Sequence, residues 1–192
     1  MEHPSVKDKR SGKVIFVSHC VLNQNSKVRG LAQFPGAVQP LVSLLLDRGI
    51  GIYQMPCPET FYLGSMRWGQ VKDQYNNPMF RRYCRQLAEE VIDHAQNYLQ
   101  NNYQVLGFIM VDGSPVCGLN HTPRPVGDTL WGGMNWYLPE SEHVQEKGVF
   151  CEVLSENLTQ RHLEDIPFAA YPELEEFGKL DDTLDQIKGW IK

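Results

Sequence analysis

Several features are scarce in this sequence, and each shortage excludes something. No run of about 20 apolar residues occurs, so no bilayer-spanning helix is expected. Positive charge is not in excess: 18 Lys and Arg stand against 23 Asp and Glu, a formal charge of -5. That balance gives no broad attraction for nucleic acid or an anionic membrane, and neither is expected as a partner. The adjacent Arg81 and Arg82 read as part of a solvated helix face. Neither Gly-x-Gly-x-x-Gly nor Gly-x-Ser-x-Gly is found, which removes the usual dinucleotide fingerprint and the nucleophile elbow. There is no internal repeat and no low-complexity stretch. The opening residues 1–10 are charged and lack the apolar centre of a secretory signal, so cytoplasmic residence is the expectation. Cysteine is sparse too: five residues, an odd number, widely spaced. In a cytoplasmic chain such thiols are more often free, metal-binding or catalytic than paired.

What remains describes an ordinary globular chain. A length of 192 residues suits one domain, and 42% hydrophobic with 21% charged residues is typical of a folded one. Residues 1–12 read as a polar tail and 13–192 as a single domain. Apolar runs at 13–18, 50–55 and 105–111 read as strands, the last of them fully buried. Helical spacing covers about 37–48, 78–100 and 148–160, with Gly49 just past the first helix and Asn77-Pro78 opening the second. A short fourth strand is expected at 166–170, at an edge because of Pro167. Asp181 or Asp182 caps a last helix. Residues 56–76 read as a long loop rich in aromatics and glycine, and 112–147 show little regular pattern. The alternation β-α-β-α-β-α-β-α predicts an α/β three-layer sandwich with a mostly parallel sheet, Rossmann-like or flavodoxin-like.

Ligands in such folds bind beyond the carboxyl ends of the strands. Three cysteines fall there: Cys20 after the first strand, Cys57 after the second and Cys117 after the third. Each sits in a Gly, Pro or polar turn. Cys84 and Cys151 lie instead on apolar helix stripes and read as core. Three thiolates brought close repel one another, and a bound metal relieves that. The residues leave three readings open. They are a zinc site completed by His or water, a [4Fe-4S] cluster with one open iron, and a single reactive thiol with two passive ones. His19 and His121 flank the site, although a lone histidine is usually a polar loop residue. Glu59, two residues beyond Cys57, either caps a turn or serves as acid or base. Ser114 and Asp112 either face a ligand or cap the turn at Pro115.

At these residues the chain resembles the DUF523 family, whose characterised members are 2-thiouracil desulfurases (the TudS family). Ser18-His-Cys-Val-Leu22 is similar to a family strand end, Ser-x-Cys-Leu-Leu. Cys57-Pro-Glu59 matches Cys-Pro-Glu, and Ser114-Pro-Val-Cys-Gly118 matches Ser-Pro-x-Cys-Gly. A weaker echo, Gly148-Val-Phe-Cys-Glu-Val-Leu154, puts Cys151 where the family has alanine. The likeness covers about 13–160, with 161–192 as a C-terminal extension. The family's Pro-Arg element soon after Cys-Pro-Glu is missing, and an aromatic loop stands there, so the chain reads as a divergent member.

The resemblance implies a [4Fe-4S] cluster on Cys20, Cys57 and Cys117, with zinc as the alternative. It also implies non-redox removal of sulfur from a small thiocarbonyl such as a thiolated nucleobase. Glu59 would move the proton of the attacking water, and Ser114 would orient water or substrate. Phe61, Tyr62, Trp68 and Trp131 are candidates for stacking on a flat ring. Monomer or homodimer is the expected state. The competing functions are a zinc-binding or sulfur-carrier protein and a cofactor-free α/β enzyme.

Overall fold

A computed structural model describes residues 8–127, 131–132 and 140–191. Of the expected polar tail, positions 1–7 lie outside the described residues. Four strands form one parallel sheet: β1 Lys13–Val17, β2 Gly51–Gln54, β3 Gln104–Asp112 and, last in this sheet, β6 Phe168–Pro172. Their order is β2-β1-β3-β6. β3 is buried along almost its whole length, as a central parallel strand covered on both faces must be.

The period-two alternation of the strands divides the core. Phe16, Phe108 and Met110 point to one face, where α5 Pro78–Gln100 and α6 Val149–Gln160 cover them. Ile15, Val17, Ile109 and Val111 point to the other, under α2 Gln39–Asp47 and α7 Leu180–Trp190. The fold is therefore the expected three-layer α/β sandwich, with every strand of the main sheet parallel. Cys84 and Cys151 are fully buried in the first core cluster. The signals read for α2 and α5 act as expected, whereas α7 takes Lys179 as its N-cap and holds Asp181 and Asp182 inside its first turn. Asn77 caps α5 by accepting the Phe80 N–H at 2.9 Å with Pro78 in the first turn, and Gly49 takes a positive φ of 65° beyond α2.

Two segments differ from expectation. Residues 56–76 are not a plain loop but carry α3 Pro58–Leu63 and α4 Lys72–Tyr75. Both helices are too short for an apolar period to show, which hid them. Within 112–147, β4 Thr122–Pro125 pairs antiparallel with β5 Ser141–Val144. Pro123 and Pro125 obscured β4, because proline fits only a strand side that needs no N–H. The fourth strand of the sheet starts two residues later than expected. Pro167 stands just before it, and its carbonyl accepts the Phe108 N–H at 2.9 Å.

The chain runs from β1 outward to β2, then returns to place β3 on the other side of β1. That reversal opens a crevice at the carboxyl ends of β1 and β3, the usual ligand position in such sheets. Among the described residues no helix is long and apolar enough to cross a membrane.

Candidate functional site

The three cysteines reach this crevice by three different local devices. After β1, the Ser18 N–H bonds the Ile109 carbonyl at 2.9 Å, and the chain turns into a single-turn helix, α1 His19–Leu22, which carries Cys20. After β2, the Met55 N–H bonds the Val17 carbonyl at 2.8 Å, and Cys57 then becomes the N-cap of α3. Its Sγ accepts the Thr60 N–H at 3.4 Å. After β3, the buried carboxylate of Asp112 organises the turn. Its Oδ1 accepts the N–H groups of Leu119 (3.0 Å), Asn120 (2.6 Å) and His121 (3.1 Å), and its Oδ2 accepts Asn120 Nδ2 at 2.7 Å. Gly118 is required here, because a Cβ at that position would collide with the His121 carbonyl oxygen. The turn folds Cys117 back so that its carbonyl accepts the Val111 N–H at 3.1 Å.

Cys20, Cys57 and Cys117 line one cavity of about 290 Å³ with largely apolar walls. Their side chains are partly accessible, unlike the sealed Cys84 and Cys151. Burial pushes the Cys20 thiol up to about 12, with nearby Lys27 pulling the other way. Burial also drives Cys117 well above its ordinary value, and the neighbouring Cys57 and Cys20 push it further. Cys57 is raised by burial and then by Glu59. Among the described residues, no group of three or more His, Cys, Asp or Glu side chains stands ready to hold a metal ion.

Glu59 and Ser114 share the cavity. The Ser114 hydroxyl donates a long bond of 3.4 Å to Glu59 Oε1. It also accepts the N–H groups of Val116 at 3.2 Å and Cys117 at 3.0 Å. Burial raises the Glu59 carboxyl above the usual range, and Arg67 opposes the shift. Arg67 Nε lies 2.9 Å from Glu59 Oε2, with the two side chains only 4% and 11% exposed. Its Nη2 also donates to the Ser26 carbonyl at 2.7 Å. A second buried ion pair, Lys27 Nζ to Glu173 Oε1 at 2.8 Å, lines the same cavity.

The structure thus brings Cys20, Cys57, Cys117, Glu59 and Ser114 together. It does not bring in the histidines: His19 packs edge-on to Phe61, His121 stacks on Phe177, and neither lines the cavity. Asp112 serves the turn. Of the four aromatics, Trp131 lines the cavity, whereas Phe61, Tyr62 and Trp68 do not: Phe61 packs on His19, Tyr62 on Phe80 and Tyr83, and Trp68 is 76% exposed. Arg67, Lys27, Glu173 and His143 went unnoticed in the sequence. Arg67 places a guanidinium beside Glu59. Glu173 comes from the C-terminal extension, which also provides the fourth strand of the sheet.

No protein-family profile matches the chain, and no solved structure does. Among curated proteins it is 39% identical over 107 residues to the uncharacterized protein MJ0003 of Methanocaldococcus jannaschii. The match spans 56% of this chain and 68% of the archaeal one. With that identity over more than two thirds of the relative's length, the chain belongs to the same family as this archaeal protein.

Proposed function

We propose that the cavity holds an iron–sulfur cluster on Cys20, Cys57 and Cys117, and that the protein removes sulfur from a small thiocarbonyl compound without net redox change. The observation that carries this reading is the delivery of three thiols, from three strand ends, to one cavity that also holds the Glu59–Ser114 pair. The chemistry of three thiols suits a soft metal centre, although among the described residues the side chains do not stand in a ready-made ligand group. Burial keeps the three thiols protonated, and thiolate bound to metal escapes the cost of a bare buried charge. The motif resemblance to the desulfurase family supports the same assignment. Held by Cys20, Cys57 and Cys117, the cluster would supply Lewis acidity toward the thiocarbonyl sulfur.

The chain's own residues provide the rest. Glu59 takes a proton from the attacking water, and burial raises its affinity for that proton. Ser114, bonded to Glu59, orients that water or the substrate. Trp131 offers an aromatic surface to a flat ring. Water adds oxygen to the carbon and hydrosulfide leaves, so no electron is exchanged. A cluster of this kind and five free thiols suit a reducing compartment, the cytoplasm.

The test is anaerobic incubation of cluster-loaded protein with a panel of thiolated pyrimidines and thioureas in oxygen-18 water. The expected result is hydrosulfide together with one labelled oxygen in the carbonyl product. Loaded protein that releases no sulfide from any member, or releases it only with a reductant, contradicts the reading.

A further inference from the structure

Two ion pairs face the cavity, and the chemistry above uses one of them. The other, Lys27 with Glu173, is held rigidly and is poorly satisfied. Lys27 Nζ lies 2.8 Å from Glu173 Oε1, with side chains 4% and 10% exposed. Among the described residues the ammonium nevertheless makes no well-directed hydrogen bond. The Tyr171 ring lies 5.6 Å away to its centroid, and it attracts the charge but does not take up N–H donors as an oxygen would. The Glu173 carboxylate has Lys27 as its polar partner among the described residues.

Backbone bonds fix both residues. The Glu173 N–H bonds the Asp112 carbonyl at 3.0 Å, the Glu173 carbonyl accepts Gln33 Nε2, and the Lys27 N–H bonds the Gln24 carbonyl at 3.1 Å. A buried ammonium with unused donors beside a carboxylate with unused acceptor capacity is incomplete without a ligand. The pair is charge-balanced, which selects the ligand. A cation would meet Lys27. An anion would meet Glu173 and Glu59. A neutral group that sets an acceptor beside a donor satisfies both members.

We infer that Lys27 and Glu173 form a recognition subsite for the edge of a neutral cyclic amide or ureide. Lys27 donates to the carbonyl oxygen, and Glu173 accepts from the adjacent ring N–H. This rests on the proposed function in so far as the ring held here is the one that carries the C=S group. Binding of a sulfur-free ring is a separate measurement.

The experiment is calorimetric titration of the anaerobically isolated protein with uracil and with 1,3-dimethyluracil, which keeps both carbonyls and has no N–H. Uracil is expected to bind about a hundredfold more tightly. The double variant K27M/E173L, which leaves no lone buried charge, is expected to lose this discrimination. Equal binding of the two probes, no binding of uracil, or a folded double variant that still discriminates would each overturn the subsite. If the double variant does not fold, the comparison of the two probes on the natural chain still decides. Discrimination by protein unable to take up iron and sulfide would uphold the subsite and remove the desulfurase assignment. Cluster-loaded, active protein without discrimination would do the reverse.

Discussion

Replacing Arg67 with Met isolates the electrostatics around Glu59. Arg67 donates to Glu59 Oε2 at 2.9 Å and to the Ser26 carbonyl at 2.7 Å, and both members of the pair are nearly buried. Breaking a buried pair by removing one partner typically costs about 3–5 kcal/mol. Here the electrostatic part has a ceiling, because Glu59 can take up a proton instead of remaining a lone charge. An ordinary glutamate has a pKa near 4.3, so protonating it at pH 7 costs about 2.7 × 1.36, or roughly 3.7 kcal/mol. At pH 5 the same ceiling is about 1 kcal/mol. The Ser26 carbonyl keeps a bond from Thr60 Oγ1 at 2.9 Å, so its loss adds little. The sign follows from proton binding. In R67M the folded state holds a proton on Glu59 that the unfolded state releases above pH 4.3, so stability falls as pH rises. Urea unfolding of the natural chain, R67M, E59Q and the double variant at pH 5 and 7 measures this. Because burial already raises Glu59 in the natural chain, the expected loss for R67M is at most about 4 kcal/mol at pH 7 and at most about 1 kcal/mol at pH 5, with the pH dependence absent in the double variant. An equal loss at both pH values, or additive single effects, would refute the reasoning.

Three further outcomes follow from the same geometry. Changing Cys20, Cys57 or Cys117 to Ser should abolish retention of iron, while Cys84→Ser should keep the iron at a stability cost of about 1–3 kcal/mol from a hydroxyl in the core; iron assay and urea unfolding separate the two. Asp112→Ala removes the acceptor of three backbone N–H groups and should cost about 3 kcal/mol, lowering Tm by roughly 10 °C and weakening iron uptake through the Cys117 turn. In metal-free protein the Cys20 thiol stays protonated up to about 12, whereas unfolded thiols ionise near about 8.5. Its stabilising contribution is therefore full below about pH 8.5 and is lost as pH rises toward 12, which thermal unfolding between pH 7 and 10 would detect as a falling Tm.

Much of the scaffold was legible because its signals are local and periodic. β3 declared itself as an unbroken apolar run, and α5 by its cap, its proline and a long apolar stripe. The three cysteines were legible because each follows a strand, and a parallel sheet gathers its carboxyl ends. The partners of the site were not. Arg67 lies between two short helices in a stretch without period, and nothing local distinguishes it from any loop arginine. Lys27 and Glu173 are far apart in sequence and meet only because β6 lies beside β3, a long-range pairing that no window reports. The histidines flank the site in sequence but not in space, in keeping with the commoner reading of a lone histidine. Being next to a cysteine in sequence says little about direction, and the α1 turn sends His19 toward Phe61.

Iron and acid-labile sulfide content of anaerobically purified protein, measured beside the Cys20, Cys57 and Cys117 to Ser variants, bears most directly on the central assignment. About four irons and four sulfides per natural chain are expected, with brown colour, and none in the three variants. Colourless protein after anaerobic reconstitution, a single zinc per chain in its place, or variants that keep their iron would contradict it.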